Sequence, residues 1–448
     1  MAQTGKPNIL IILSDDQPQY MMDPLGEVRG RIRDMGFEFP RGHADIPLCG
    51  PARVSLLTGL SVTTHECDTN GTWNLFTASP LNLHERILPK YLRAAGYVSG
   101  HFGKYINGNG GVAAVPDYWD RWCETMGDDG DEGSQVEKVN IDGVVSPFPA
   151  PGGIPSGWAA QKTVDFIEGH LSEPWFAHYC PTIPHQPYTP TPQSAGLYDG
   201  ARRTVPSINE DDMSDKPQWM RDLPKITGWQ SEYEGKLEEL ADLNRLGIKP
   251  ILDALVASGQ IGNTLIFYLS DNGYLHAEHR LQKKDQPYWE SSQIPFFVRG
   301  PGVLQNQSRN AFVSQIDVFP TALEAAGVDL ATIPEIDGRS MLSRLGQSTF
   351  NGWRKRMLIT GSDYVGHQNN PGGAHNPPGR WWMLREGNKH FILHENGVKE
   401  LYWMESDPYQ LNNVRQSTDQ ATIDDLTDKT NALKGATGAA RRSLEDAA

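Results

Sequence analysis

Asn8-Ile9-Leu10-Ile11-Ile12-Leu13-Ser14-Asp15-Asp16 is an unbroken apolar run that ends in a small polar residue and two carboxylates. Continuous apolarity, rather than alternation, marks a strand covered on both faces, as in a parallel sheet between helical layers. The pattern returns at Thr264-Leu265-Ile266-Phe267-Tyr268-Leu269-Ser270-Asp271-Asn272. Open α/β sheets bind ligands outside the carboxyl ends of their strands. Taken alone, Asp-Asp is a solvated pair and Asp-Asn-Gly a turn. Two buried strands that finish alike, with no lysine or arginine beside Asp15 and Asp16, instead point to the halves of one hard-cation site.

Working outward, Ile46-Pro-Leu-Cys49-Gly-Pro51-Ala-Arg53-Val-Ser-Leu-Leu-Thr-Gly59 places a cysteine at a helix start. Pro51 suits the first helical turn, and Gly59 can end the helix. A side chain there faces unpaired N–H groups and the positive end of the helix dipole, a place to hold or generate an anion. The spacing predicts a short helix over 24–36, a helix over 83–95 feeding a strand over 97–102, and Lys104 just past that strand. A helix near 156–171 precedes the strand over 175–180. His185 then lies between Pro184 and Pro187, in an extended, poorly mobile backbone. Helical spacing from about 231 to 257 is divided by Pro250. The Gly-, Asp- and Pro-rich stretch from Gly127 to Gly157 reads as a long surface excursion, its acidic run a solvated loop without EF-hand spacing. Residues 189–230 read as an irregular pocket rim.

The chain has 448 residues, of which 38% are hydrophobic and 21% charged, so it can bury a large core as a globular protein. Its formal net charge of −15 disfavours nucleic acid or an anionic membrane as the main partner. No apolar run approaches the ~18 residues of a membrane helix. Cys49, Cys67, Cys123 and Cys180 are too few and too scattered for a disulfide framework. No leader precedes the first strand, and the expectation is a cytoplasmic enzyme, although a chain trimmed of a leader reads the same.

Cys49-Gly-Pro-Ala-Arg53, closed by Leu57-Thr-Gly59, resembles the signature of the type I sulfatases, in which the cysteine is oxidised to Cα-formylglycine. Ala52 stands where the family usually has serine. Gly103-Lys104-Tyr-Ile-Asn107 is similar to the second sulfatase signature. Many members have Lys-Trp-His there, and this variant resembles the glucosamine-6-sulfatase-like branch. The segment from Asp271 through His279, Lys284 and Tyr288 to Val298-Arg-Gly-Pro-Gly302 resembles the same family, as does Pro184-His185-Gln-Pro187.

The resemblance implies an alkaline-phosphatase-like α/β fold: a large, mostly parallel sheet flanked by helices, with a small C-terminal α+β domain built on an antiparallel sheet. The expected boundaries are 1–345 and 346–448, with short strands over 381–385, 389–393 and 399–403 and a terminal helix. It implies a cation held by Asp15, Asp16, Asp271, Asn272 and residue 49. Calcium is preferred because the carboxyl and amide ligands are hard oxygens, with Mg²⁺ or Mn²⁺ as alternatives. Arg53, Lys104, His185 and Lys284 are implied as catalytic groups. Lys104, His185, Lys284 (with Lys283 as the register alternative) and Asn107 are implied to bind substrate. His65, Asn70 and His279 are supporting polar residues. The implied activity is hydrolysis of a sulfate monoester of an aryl alcohol or small sugar, after maturation by a formylglycine-generating enzyme. Two other readings stand: a phosphonate monoester or phosphodiester hydrolase on the same scaffold, and an unconverted member that binds an anion without catalysis.

Overall fold

The computed structural model describes residues 5–108, 114–127, 136–149, 154–362 and 379–447. A ten-stranded sheet runs in the order Gln307–Ser308, Phe37–Glu38, Phe296–Arg299, Thr264–Ser270, Asn8–Ser14, Trp175–Cys180, Val98–Gly103, Arg121–Gly127, Val136–Ile141, Val144–Pro147. The five strands from Thr264–Ser270 to Arg121–Gly127 are mutually parallel. Antiparallel pairing appears only outside this group. The unbroken apolar runs explain the middle. Ile9, Ile11 and Leu13 enter one core layer with Val54, Leu57, Leu88, Leu92 and Phe319. Leu10 and Ile12 enter the opposite layer with Ala159, Ile167, Leu240, Ile251 and Leu255. With a side-chain period of two, both faces must be apolar because both are covered by helices.

Register then positions the chemistry. Asn8 to Ser14 pairs residue for residue with Thr264 to Ser270, so the two strands end level and Asp15-Asp16 emerge beside Asp271-Asn272. Gly103 pairs with Cys180 on the neighbouring strand, and Lys104 N–H donates to the Cys180 carbonyl. The helix Cys49–Thr58 ends on Gly59 in the left-handed conformation at φ 67°. The glycine is needed there both for that φ and because a Cβ would stand 2.8 Å from the Phe319 ring.

Two sequence expectations change. The stretch after Gly127 is not wholly an excursion: Val136–Ile141 and Val144–Pro147 form a hairpin that extends the sheet. Asp142 and Gly143 both have positive φ, 50° and 91°, as a two-residue type I′ turn demands. The expected acidic loop at 128–133 lies outside the described residues. The helical run over 231–257 is divided before Pro250: Trp229–Asp242, a wider π-type turn at Leu243–Ile248, then Lys249–Ala257 with Pro250 in its first turn. The missing N–H costs nothing at a helix start, so the proline begins a segment rather than kinking one.

Beyond residue 350 the strands Arg356–Thr360, Trp381–Glu386, Lys389–His394 and Lys399–Trp403 form an antiparallel sheet in that order. One face packs Leu358, Leu384 and Phe391 on Ile423, Leu426 and Leu433 of the helix Gln420–Lys434. The other packs Met357, Ile359 and Met383 against Leu275, Leu281 and Tyr288. A second helix, Gly438–Asp446, follows. Among the described residues no helix is long and apolar enough to cross a membrane.

Candidate active site

Cys49 begins its helix, and its Sγ is buried against three charged side chains. It lies 2.7 Å from Lys284 Nζ, 3.4 Å from Asp15 Oδ1 and 3.7 Å from Asp16 Oδ1. Burial pushes the thiol well above its ordinary pKa despite the two nearby lysines, so an unmodified Cys49 is a thiol and not a thiolate nucleophile. Gly50 N–H donates to Asn70 Oδ1, and a Cβ at Gly50 would meet Thr72 and the Asn107 side chain, so Asn107 stands against the nucleophile turn. His65 Nε2 lies 2.9 Å from Ser55 Oγ, further along the Cys49 helix.

Charge is distributed unevenly over the two strand ends. Lys104 Nζ donates to Asp15 Oδ2 at 2.7 Å and Lys284 Nζ to Asp16 Oδ1 at 2.8 Å. Lys283, by contrast, pairs through its backbone with Leu275. Burial raises the Asp15 carboxyl, but Lys104, His185 and Arg53 together hold it well below the usual range. Lys284 and His185 do the same for Asp16. His185 Nδ1 lies 2.7 Å from the Gln186 carbonyl, which can only accept; Nδ1 therefore carries a proton, and Nε2 faces Asp16 Oδ2 at 3.6 Å. The Ile183–Pro184 and Gln186–Pro187 peptide bonds are both cis.

Arg53 is buried behind both strand ends, with its Nη2 3.5 Å from Asp15 Oδ2. Its Nε and Nη2 donate to Asp271 Oδ2 at 3.0 and 2.8 Å, and its Nη1 donates to the carbonyls of Lys104 and Tyr105. Asp271 Oδ1 accepts from the backbone N–H groups of Asp16 and Asn272. Both Asp271 oxygens are thus engaged, and burial, followed by the charge of Asp15, raises its carboxyl to about 6. Asn272 Nδ2 donates to Asp16 Oδ1, while its buried Oδ1 has no hydrogen-bond partner.

All ten residues expected from the sequence meet in this one region. Asp15, Asp16, Cys49 and His185 can each turn one ligand atom to within 4.8 Å of all the others. A divalent cation fits this chemistry. The carboxylates are buried, hard and anionic, and the orphaned Asn272 oxygen is a donor group with nothing to coordinate.

Two residues escaped the sequence reading. Gln315 Nε2 donates to the carbonyls of Ser270 and Asp271, fixing the second strand end from behind. Lys236 Nζ donates to the carbonyl of Asp16. Gln315 carried no signal. Lys236 did, since it interrupts the apolar stripe Trp229, Tyr233, Leu240 and Leu243 at helical spacing.

Residues 7–328 match the sulfatase family, and residues 277–435 match the C-terminal region described as that of N-sulphoglucosamine sulphohydrolase. A putative extracellular sulfatase Sulf-1 homolog of Caenorhabditis elegans is 29% identical over 79% of this chain and 52% of its own length. Human N-acetylglucosamine-6-sulfatase is 27% identical over 82% of this chain and 69% of its own. The chain therefore spans about half of the first relative and somewhat over two thirds of the second. Among solved structures, BT4656 in complex with its substrate D-glucosamine-2-N,6-O-disulfate superposes with a TM-score of 0.77 at 21% identity, covering 96% of this chain and 97% of that one. The phosphonate monoester hydrolase of Agrobacterium radiobacter gives 0.70 at 19% identity, covering 96% and 95%. At such identities these likenesses speak for the alkaline-phosphatase-like fold. The family match spans well over half of the chain and contains every residue of the site, and the chain belongs to the sulfatase family.

Proposed function

We propose that the protein hydrolyses the sulfate monoester of a small sugar, an amino-sugar 6-sulfate first among them, or of an aryl alcohol. The observation that carries this reading is the setting of Cys49 at a helix N-terminus, 2.7 Å from Lys284 Nζ and within 4 Å of two carboxylates. Converted to formylglycine, residue 49 would supply a hydrated-aldehyde hydroxyl as nucleophile. A cation, calcium by preference, would be held by Asp15, Asp16, Asp271, Asn272 and residue 49 and would polarise the ester and acidify that hydroxyl.

The chain's own groups do the rest. Lys104 and Lys284 place ammonium donors where the sulfuryl oxygens gather charge. His185, its ring fixed through Nδ1–H, would give the departing alcohol a proton from Nε2 as the imidazolium, a form that burial disfavours and the facing Asp16 carboxylate favours. Asn107, against the nucleophile turn, adds a neutral contact to the ester. Arg53 keeps Asp271 in place and does not reach substrate. The relatives named as N-acetylglucosamine-6-sulfatases support the sugar, and the irregular chain over 189–230 supports a shaped rim. Cys49, Pro51 and Arg53 are all buried, so a formylglycine-generating enzyme must meet this segment before it folds.

The test joins mass spectrometry of the residue-49 peptide to kcat/KM for glucosamine 6-sulfate, an aryl sulfate, a phenyl phosphonate monoester and a phosphodiester on converted protein. Preference for a sulfate is the expected result. Preference for a phosphorus ester makes the protein a phosphonate or phosphodiester hydrolase. An unmodified cysteine with no turnover makes it an anion-binding member.

A further inference from the structure

Lys236 is fully buried at the middle of the helix Trp229–Asp242. Its Nζ donates to the carbonyl oxygens of Asp16 at 3.2 Å and Pro184 at 2.8 Å, and it stands 3.9 Å from the centroid of the Tyr274 ring. Those three acceptors match the three N–H bonds of an ammonium, and the nearby carboxylates of Asp16 and Glu232 oppose the burial that lowers the lysine's pKa. Tyr188 flanks it on another side. The hydroxyls of Tyr188 and Tyr274 both donate to Glu232, one turn earlier on the same helix. Gly235 makes the approach possible, since a Cβ there would lie 2.9 Å from Tyr188.

The same helix grips the loop that continues from Pro184, turn by turn. Glu239 accepts from Thr189 N–H, and Asp242 accepts from Thr191 N–H and from the hydroxyls of Thr191 and Ser194. Glu232, Lys236, Glu239 and Asp242 recur at helical spacing, so one face of the helix holds the chain from Pro184 to Ser194. At its upper end, Lys236 joins two loops that share no sequence neighbourhood. One contains Asp16, held at φ 62°, where a non-glycine residue stays only if its surroundings impose it. The other contributes Pro184, the residue immediately before His185.

We propose that Lys236 is a positioning residue that sets the separation of the Asp16 carboxylate from the His185 ring, 3.6 Å between Oδ2 and Nε2, by tying the Asp16 and Pro184 carbonyls to one ammonium. It touches neither substrate nor cation. What the separation serves rests on the sulfatase reading above; the tie itself does not.

The test is Lys236→Met, which keeps the length and apolar stem and removes the three donors. The expected variant is folded by circular dichroism and carries the wild-type level of formylglycine. It binds calcium, titrated calorimetrically into chelator-treated protein, about tenfold more weakly, as loss of a contact behind a ligand does. At saturating calcium its kcat on an aryl sulfate falls at least tenfold while KM changes little. In its crystal structure His185 has moved away from Asp16. A core lysine with no positioning role would lower Tm and leave calcium affinity and the kcat-to-KM split alone. Should Lys236→Met not fold, Lys236→Gln, too short to reach both carbonyls, is read the same way. Wild-type calcium affinity and kcat in the variant overturn the inference. A wild-type protein that binds calcium but cleaves no sulfate ester sinks the sulfatase reading and leaves the calcium comparison to judge Lys236. If the wild type binds no calcium, an unchanged Asp16–His185 separation in the variant structure is the overturning result.

Discussion

Ser14-Asp15-Asp16 and Ser270-Asp271-Asn272 are near-copies that end adjacent strands at the same level, yet their surroundings shift their carboxyls in opposite directions. Asp15 and Asp16 face the nucleophile and two lysine ammoniums, whose charges overcome burial and keep both carboxyls ionised far below the usual range. Asp271 faces Arg53 and two backbone N–H groups, and burial next to Asp15 leaves its carboxyl at about 6. One strand end presents charge to whatever enters, and the other anchors the arginine of the nucleophile helix to the sheet. Local sequence made the two ends alike; only their neighbours made them different.

The contrast can be broken in several ways. The largest effect belongs to the group that the first end serves: Cys49→Ala is expected to lower kcat by on the order of 10⁴-fold or more, as losses of nucleophiles do, with Tm unchanged. Activity within tenfold of wild type removes Cys49 from the chemistry. Exchanging one carboxylate at each end comes next. Asp15→Asn is expected to lower kcat by about 10²–10³-fold, the scale of one preorganised electrostatic contact, and to lower stability in urea unfolding as well, because Lys104 loses its carboxylate. Asp271→Asn is expected to cost about 1–3 kcal/mol in the same unfolding measurement, because buried Arg53 loses its two-donor contact with a carboxylate and keeps only Asp15, at 3.5 Å. The reverse pattern would exchange the roles of the two ends.

Calcium sharpens the comparison further. At a hundredfold excess over its Kd it should stabilise the wild type by about 2.7 kcal/mol, lost on adding a chelator. The share of that stabilisation surviving in Asp271→Asn measures how far Asp271 takes part in holding the ion. A wild-type Tm indifferent to calcium and chelator argues against the cation. The smallest effect is expected at Asn107→Ala, about fivefold in KM for the loss of one neutral hydrogen bond of ~1 kcal/mol. A larger fall in kcat than in KM would promote Asn107 to a transition-state contact.

The features legible in the sequence are those written in consecutive residues. The apolar runs ending in carboxylates, the proline and glycine bracketing the Cys49 helix, and the alternating C-terminal strands each carry their own structural rule. Arg53 was singled out by the motif, but its partner lies 218 residues away, and nothing local announces whether an arginine at a nucleophile turn faces substrate or a buried aspartate. Lys236 was passed over although a lysine in an apolar stripe is a visible exception, because the stripe alone cannot say which carbonyls wait on the other side. Asp142-Gly143 was equally visible as a hairpin turn and was submerged in the Gly- and Asp-rich composition around it. The widened turn at 243–248, which packs against the helix Pro155–Gly169, has no counterpart in the sequence pattern.

The level ending of the strands Asn8–Ser14 and Thr264–Ser270 has a consequence for how the molecules of a preparation can differ from one another. A hydrogen-bonded ladder errs only in whole residues, about 3.3 Å each, and a single step also turns every side chain to the wrong face. Alignment of the two strand ends is therefore digital: a folded copy has it or lacks it, and no continuum of slightly misaligned sites lies between. On the formylglycine reading, the specific activity of a folded sample counts its converted copies, and should rise in a straight line with the modified fraction of residue 49.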